Sequence, residues 1–287
     1  MQLNNALSKS VERGNRKYMK RFHFISGLPR SGSTLLAGIL NQNPGFLAGM
    51  SSPVYRAFCT LQKDFSGDNE FSFDVTNTQR ENILRGILEN YYGVHPEPVV
   101  IDTSRGWTSK TAAIAEIFPA AKFICMVRPV VEIIESIERI IRSNPLTPSR
   151  LFNFEPNTNV YSRVDSMLLP NGLIGSSMNN LKEAFYGPES DRLMVISYQR
   201  LISDTTSVIE AIYDFLQEPL VEHDLENIEY SALKYDEHIG LPGLHTVRKR
   251  IEPLSHQSVI PSDISARFRG AAFWTSPNEP SKSVKMI

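Results

Sequence analysis

The chain has 287 residues, 41% of them apolar and 21% charged, with 30 basic against 31 acidic residues for a net charge of −1. This is a globular composition of a length suited to an α/β protein; it lacks the basic footprint of a duplex-DNA binder, and no run approaches the ~20 apolar residues of a membrane span. Two cysteines, Cys59 and Cys125, are too few for a disulfide framework or a zinc site and read as reduced core residues.

The opening residues 1–21 are basic without an apolar core, so they read as a loose arm or first helix rather than a secretory leader, and the expected location is the cytoplasm. Arg21–Ser26 is a short apolar run ending in a Gly-rich turn, followed by a helical pattern through Ser33–Gln42. Three more β-forming runs follow at Pro98–Asp102, Lys122–Val127 and Arg192–Ser197. Between them lie helical periods at Thr78–Tyr92, with a capping box from Thr78 to Glu81, and at Thr108–Phe118, Val130–Ile141 and Ser207–Leu216. Alternation of this kind predicts βαβ units in a parallel sheet flanked by helices, a P-loop-like α/β fold, with residues 1–287 in a single domain. The runs show little polar alternation, as strands covered on both faces should. Asn144–Tyr161, with three prolines and four asparagines, and Glu218–Pro261 break the pattern and are candidate functional loops.

The sharpest motif is Gly27-Leu-Pro-Arg-Ser-Gly-Ser-Thr34, directly after a strand and opening a helix. It matches the phosphate-loop pattern G-x-x-x-x-G-K-[ST] at Gly27, Gly32 and Thr34, with Ser33 in place of the lysine. Backbone N–H groups in such a loop, with a helix N-terminus behind them, bind an anion without a side-chain charge. Arg30 supplies the charge, and Ser31, Ser33 and Thr34 supply hydroxyls. Without the lysine that reaches a triphosphate, the loop suits an anion of lower charge held without a metal. After the third run comes Arg128, at the C-terminal end of a parallel strand where open sheets bind ligands, with Ser136 eight residues on in the next helix. Together they make a second anion site.

These two segments, FISGLPRSGSTLL and FICMVRPVVEIIESIERI, resemble the nucleotide-binding segments of the sulfotransferase superfamily, which uses 3′-phosphoadenosine 5′-phosphosulfate (PAPS). The likeness is to bacterial sulfotransferase family proteins and, more distantly, tyrosylprotein sulfotransferases, and it extends through VIDTSRGW and VISYQRL. It implies that Arg30, Ser31, Gly32, Ser33 and Thr34 hold the 5′-phosphosulfate and that Arg128 and Ser136 hold the 3′-phosphate. It further implies that Tyr198 contacts the nucleotide and that Arg248 and Lys249 close over its 3′ side. The implied reaction moves a sulfonate to a hydroxyl or amine acceptor and releases adenosine 3′,5′-bisphosphate (PAP), with no metal. The acceptor class stays open among small molecules, glycans, lipids and peptides.

The resemblance also marks departures. Thr103 stands where many relatives have lysine, Arg105 where cytosolic enzymes have histidine, and Gly49–Pro53 has no carboxylate where tyrosylprotein sulfotransferases carry a glutamate base. The catalytic candidates are therefore Arg105 to stabilise the transferring sulfonate and Asp102 or His245 as base. Asn144–Tyr161 and Glu218–Pro261 are candidates for acceptor lid and nucleotide cover. Histidines 223, 238, 245 and 256 lack ligand spacing and read as solvated loop residues. Tyr91, Tyr92, Phe71 and Phe73 suit either an acceptor pocket or the core. Two other readings stand beside sulfonate transfer: a P-loop nucleotide kinase or phosphotransferase, and a non-catalytic nucleotide-binding protein.

Overall fold

The computed structural model describes residues 20–67, 69–70, 72–143, 145–146, 150–152, 159–228, 230, 236–237, 244–245, 257–275 and 283–287. Its strands are β1 (Arg21–Gly27), β2 (Phe46–Ala48), β3 (Val99–Thr103), β4 (Phe123–Val127), β5 (Leu193–Ser197) and β6 (Lys285–Met286). They form one parallel sheet in the order β2-β3-β1-β4-β5-β6. The four predicted runs are β1, β3, β4 and β5; β2 and β6, of three and two residues, were not foreseen.

Strand side chains alternate between two cores. Phe22, Phe24, Val100, Phe123 and Cys125 enter one; Ile25, Val99, Ile101, Ile124 and Met126 enter the other. Both sheet faces are thus covered, which is why the runs carry no polar alternation.

The helices are α1 (Ser33–Leu40), α2 (Val54–Asp64), α3 (Asn77–Tyr92), α4 (Thr111–Ile117), α5 (Val130–Ser143), α6 (Val160–Leu168), α7 (Gly175–Tyr186), α8 (Tyr198–Ser203), α9 (Thr205–Leu216) and α10 (Ser262–Ala266). Helix α3 corrects one expectation. Its cap is Thr76, whose hydroxyl accepts from the Gln79 N–H while Gln79 Oε1 accepts from the Thr76 N–H, so the box closes two residues ahead of Thr78. Both Thr76-x-x-Gln79 and Thr78-x-x-Glu81 fit the box pattern, and the earlier register wins. The expected helix at Thr108–Phe118 is divided into a 3₁₀ turn, Trp107–Lys110, and α4. The stretch 144–161 ends in α6, which starts under an Asn159 cap. Residues 1–19, and most of the candidate lid and cover, lie outside the described residues.

The sheet geometry decides where a ligand can sit. Register places Ile25 beside Thr103, Gly27 beside Met126 and Val127 beside Ser197, so the C-terminal strand ends share one edge. From central β1 the order runs to β3 and β2 on one side and to β4 and β5 on the other. The crevice above β1 and β4 is therefore the topological switch point of the sheet.

One buried ion pair ties α5 to α6. Arg163 Nε and Nη2 donate to the two oxygens of Glu138 at 2.8 and 2.6 Å, with the Glu138 side chain fully buried. Removing one partner leaves a buried charge uncompensated, whereas removing both does not. Arg163→Met is expected to lower unfolding free energy by about 3–5 kcal/mol in urea titrations, and Glu138→Leu added to it to recover most of that loss.

Candidate functional site

The loop after β1 is shaped by backbone conformations that few residues adopt. Gly27 has φ 102°, and a Cβ there would lie 2.2 Å from the Met126 carbonyl oxygen, so β1 can approach β4 this closely only with glycine. Gly32, at φ 89°, is the N-cap of α1 and offers no side chain to the N–H groups of the first turn. The helix, beginning at Ser33 and Thr34, thus has an N-terminus without a side-chain cap, the kind of terminus that can bind an anion. Ser31 is buried and its hydroxyl donates to the Pro29 carbonyl at 3.3 Å.

Arg30, itself at φ 57°, points away from the loop axis and across to α5. Its Nε donates to Ser136 Oγ at 3.1 Å, and its Nη1 donates to the carbonyl of Leu244. Arg128, at the end of β4, donates from Nη1 to the Arg30 carbonyl at 3.2 Å and from Nε to Glu132 at 2.9 Å. Its guanidinium carbon lies 4.4 Å from the centre of the Tyr198 ring, a cation–π contact. That ring abuts Gly32, where an added Cβ would lie 2.8 Å from Tyr198 Cδ2. Ser197 caps α8 by accepting from the Arg200 N–H, which sets Tyr198 as its first residue. Four predicted nucleotide ligands, Arg30, Arg128, Ser136 and Tyr198, thus meet above the β1–β4 crevice. Burial and the neighbouring Arg128 charge push the Arg30 guanidinium down to about 10, partly offset by Asp236. It stays charged at neutral pH, and a phosphate or sulfate there would relieve the repulsion between the two arginines. Arg248 and Lys249 lie outside the described residues.

The catalytic candidates fall in different surroundings. Asp102 is 2% exposed and has both oxygens occupied: Trp107 Nε1 donates to Oδ1 at 2.7 Å, and Ser52 Oγ, at 2.5 Å, and the Tyr92 hydroxyl donate to Oδ2. Burial, then the Asp102 charge, pushes the Tyr92 hydroxyl upward. Asp102 so ties the end of β3 to the entry of α2, the end of α3 and the following 3₁₀ turn. Next to it, the Thr103 hydroxyl is buried and has no hydrogen-bond partner among the described residues. Arg105 is exposed, with Nη1 3.5 Å from the Leu173 carbonyl before α7.

His245 sits elsewhere, beside the loop arginine through the Leu244 carbonyl. Its Nδ1 lies 2.6 Å from Asp236 Oδ1, and its backbone N–H donates to Asp236 Oδ2 at 2.8 Å. Sequence reasoning missed Asp236; nothing in local spacing marks a carboxylate nine residues ahead of a histidine. The reading of the histidines as solvated is corrected at His245 and at His223, whose Nε2 lies 3.0 Å from the Tyr213 hydroxyl. His238 and His256, like Phe71, lie outside the described residues. Tyr92 is core, whereas Tyr91 and Phe73 are exposed. Cys125 is buried and Cys59 half-buried, both as free thiols. Among the described residues no helix is long and apolar enough to cross a membrane.

Comparison with known proteins places this geometry in a family. The model of the Sulfotransferase family matches residues 23–222, from β1 to just beyond α9. Protein-tyrosine sulfotransferase 1 of Danio rerio is 30% identical over 112 residues, a stretch covering 37% of this chain and 32% of that protein. The chain thus matches about a third of that relative's length. A sulfotransferase from Mycobacterium avium has the same fold at a TM-score of 0.50 and 12% identity, with 98% of this chain and 82% of that one covered. The sulfotransferase domain of the Synechococcus PCC 7002 olefin synthase aligns over 90% of this chain and 96% of that domain, at 20% identity and a TM-score of 0.49. With the family model spanning both the Gly27–Thr34 loop and the Arg128–Ser136 segment, this chain belongs to the Sulfotransferase family.

Proposed function

We propose that the protein transfers a sulfonate from PAPS to a hydroxyl or amine acceptor and releases PAP. The observation that carries the reading is the meeting of Arg30, Arg128, Ser136 and Tyr198 at the switch point, next to an uncapped helix N-terminus. Two guanidinium groups held together, with the charge of Arg128 lowering the proton affinity of Arg30, call for an anionic partner of more than one charge. A nucleotide with phosphates at both ends meets that demand.

In this reading the N–H groups of Gly32 to Thr34 and the adjoining hydroxyls take the 5′-phosphosulfate. Arg128 and Ser136 take the 3′-phosphate, and Arg30, bonded to Ser136, lies between the two positions. Arg248 and Lys249 are assigned to the same 3′ side from the resemblance alone. PAPS supplies a sulfonate on a phosphate leaving group, so the residues need only align, neutralise charge and take one proton. Arg105 is assigned to charge on the transferring group and His245 to the acceptor's proton. We give Asp102 a supporting role instead of the base: its two oxygens already accept three hydrogen bonds, and protonation would break at least one of them.

Calorimetric titration with PAP, against 5′-AMP and with EDTA present throughout, tests the reading. PAP is expected to bind more tightly than AMP. Arg128→Ala is expected to weaken PAP by about 10- to 100-fold, the worth of one hydrogen-bonded charge at about 1.5–3 kcal/mol, while changing AMP binding little. Equal affinity for the two nucleotides in the unmodified protein would overturn it. Replacing Ser33 by Lys, which restores the phosphate-loop lysine, is expected to leave the preference for PAP over AMP intact, because that preference resides in Arg128 and Ser136.

A further inference from the structure

We infer that Asp236 is a positioning residue that fixes the imidazole of His245 in the tautomer with its proton on Nδ1 and its basic lone pair on Nε2. The inference rests on the sulfonate-transfer reading for its purpose, though not for its geometry.

Asp236 is 1% exposed and receives two hydrogen bonds from one residue. The backbone N–H of His245 reaches Oδ2 at 2.8 Å, and Nδ1 faces Oδ1 at 2.6 Å. A backbone N–H is only ever a donor. An ionised carboxylate is only ever an acceptor, so the ring nitrogen facing it must carry a hydrogen, and in a neutral imidazole the lone pair is left on Nε2. The carbonyl of Leu244, which accepts from Arg30 Nη1, holds this pair against the donor loop. Among the described residues, Arg30 and Asp236 attract one another across this contact. Transfer then balances simply. The acceptor's O–H or N–H proton passes to Nε2 as its heteroatom bonds to sulfur, and the bond from sulfur to the 5′-phosphate oxygen breaks with its electron pair leaving on that oxygen. Asp236 stays ionised beside the imidazolium and stabilises it.

The same geometry predicts what an isosteric amide would do. Asparagine offers one oxygen and one NH₂ group where aspartate offers two oxygens. The backbone N–H of His245 must keep the oxygen, so the NH₂ faces Nδ1, and the imidazole has to accept there and move its proton to Nε2. Asp236→Asn therefore reverses the tautomer without removing a contact.

Long-range ¹H–¹⁵N spectra of the neutral imidazoles, assigned by the signals lost in His245→Gln, read this out. The wild type is expected to show the unprotonated nitrogen at Nε2, and Asp236→Asn to show it at Nδ1. PAP affinity of Asp236→Asn is expected to stay within about threefold of the wild type, since the lost charge is negative and next to an anion site. Any acceptor turned over by the wild type is expected to react about 10²- to 10⁴-fold more slowly in the variant. A proton on Nε2 in the wild type, an unreversed tautomer in the variant, or an unchanged turnover rate overturns the assignment. Should Asp236→Asn fail to fold, the wild-type tautomer alone decides. If the wild type binds PAP no better than AMP, the donor reading falls, while the tautomer result still stands or falls on its own.

Discussion

Arg30 and Arg128 are held close enough to repel each other, and much of the architecture serves to keep them there. The register of β1 against β4 brings their loops together, and the bare Cα of Gly27 lets the two strands close to that distance. Arg128 donates to the carbonyl of Arg30, which steadies a left-handed residue that would otherwise be costly, about 1–2 kcal/mol for a side chain of this size. Glu132, Ser136, the Leu244 carbonyl and the Tyr198 ring each take part of the remaining load. A cluster of positive charge at the end of a parallel sheet is a stored preference for anions, and the rest of the site is arranged around it.

The second organising group is Asp102. Its carboxylate gathers donors from the entry of α2, the end of α3 and the 3₁₀ turn after β3, so three elements beside the end of β3 are tied to one buried carboxylate. The charged cluster above β1 and β4 and the Asp102 network are thus held by separate sets of contacts. Next to Asp102, Thr103 has a buried hydroxyl that no described residue engages.

The parts of this arrangement that the sequence made legible are those carried by neighbours in the chain. β1, β3, β4 and β5 announce themselves as short apolar runs because both faces are buried, and the Gly27–Thr34 spacing predicts a strand–loop–helix corner. Arg128 and Ser136 stand out in the sequence because they follow the end of β4 at a short distance, and Tyr198 because the family resemblance marks it; the fold brings all three close to Arg30. Helix α7 was missed because Gly175, Ser176, Ser177, Asn179 and Asn180 are poor helix formers, and packing of Leu181 and Phe185 decides the matter instead. Strands β2 and β6 are too short for any period to show. The bond from Arg30 to Leu244 joins residues 214 apart in sequence, and no local pattern can encode it. Asp236 lies nine residues before His245 in a stretch without periodicity, and the sequence does not show that Asp102 is engaged by Ser52, fifty residues before it, and by Tyr92 and Trp107.

The contact between Gly32 and Tyr198 has a kinetic side. The ring occupies the space that a Cβ would fill, so the corner after β1 and the start of α8 are packed directly against each other. Immobilising a side chain on association typically costs about 0.5–1.5 kcal/mol. Here that loss of freedom falls on folding, before any encounter. On the sulfonate-transfer reading, a nucleotide that meets one side of this contact finds the other already in place, and its first encounter should depend on diffusion and ionic strength.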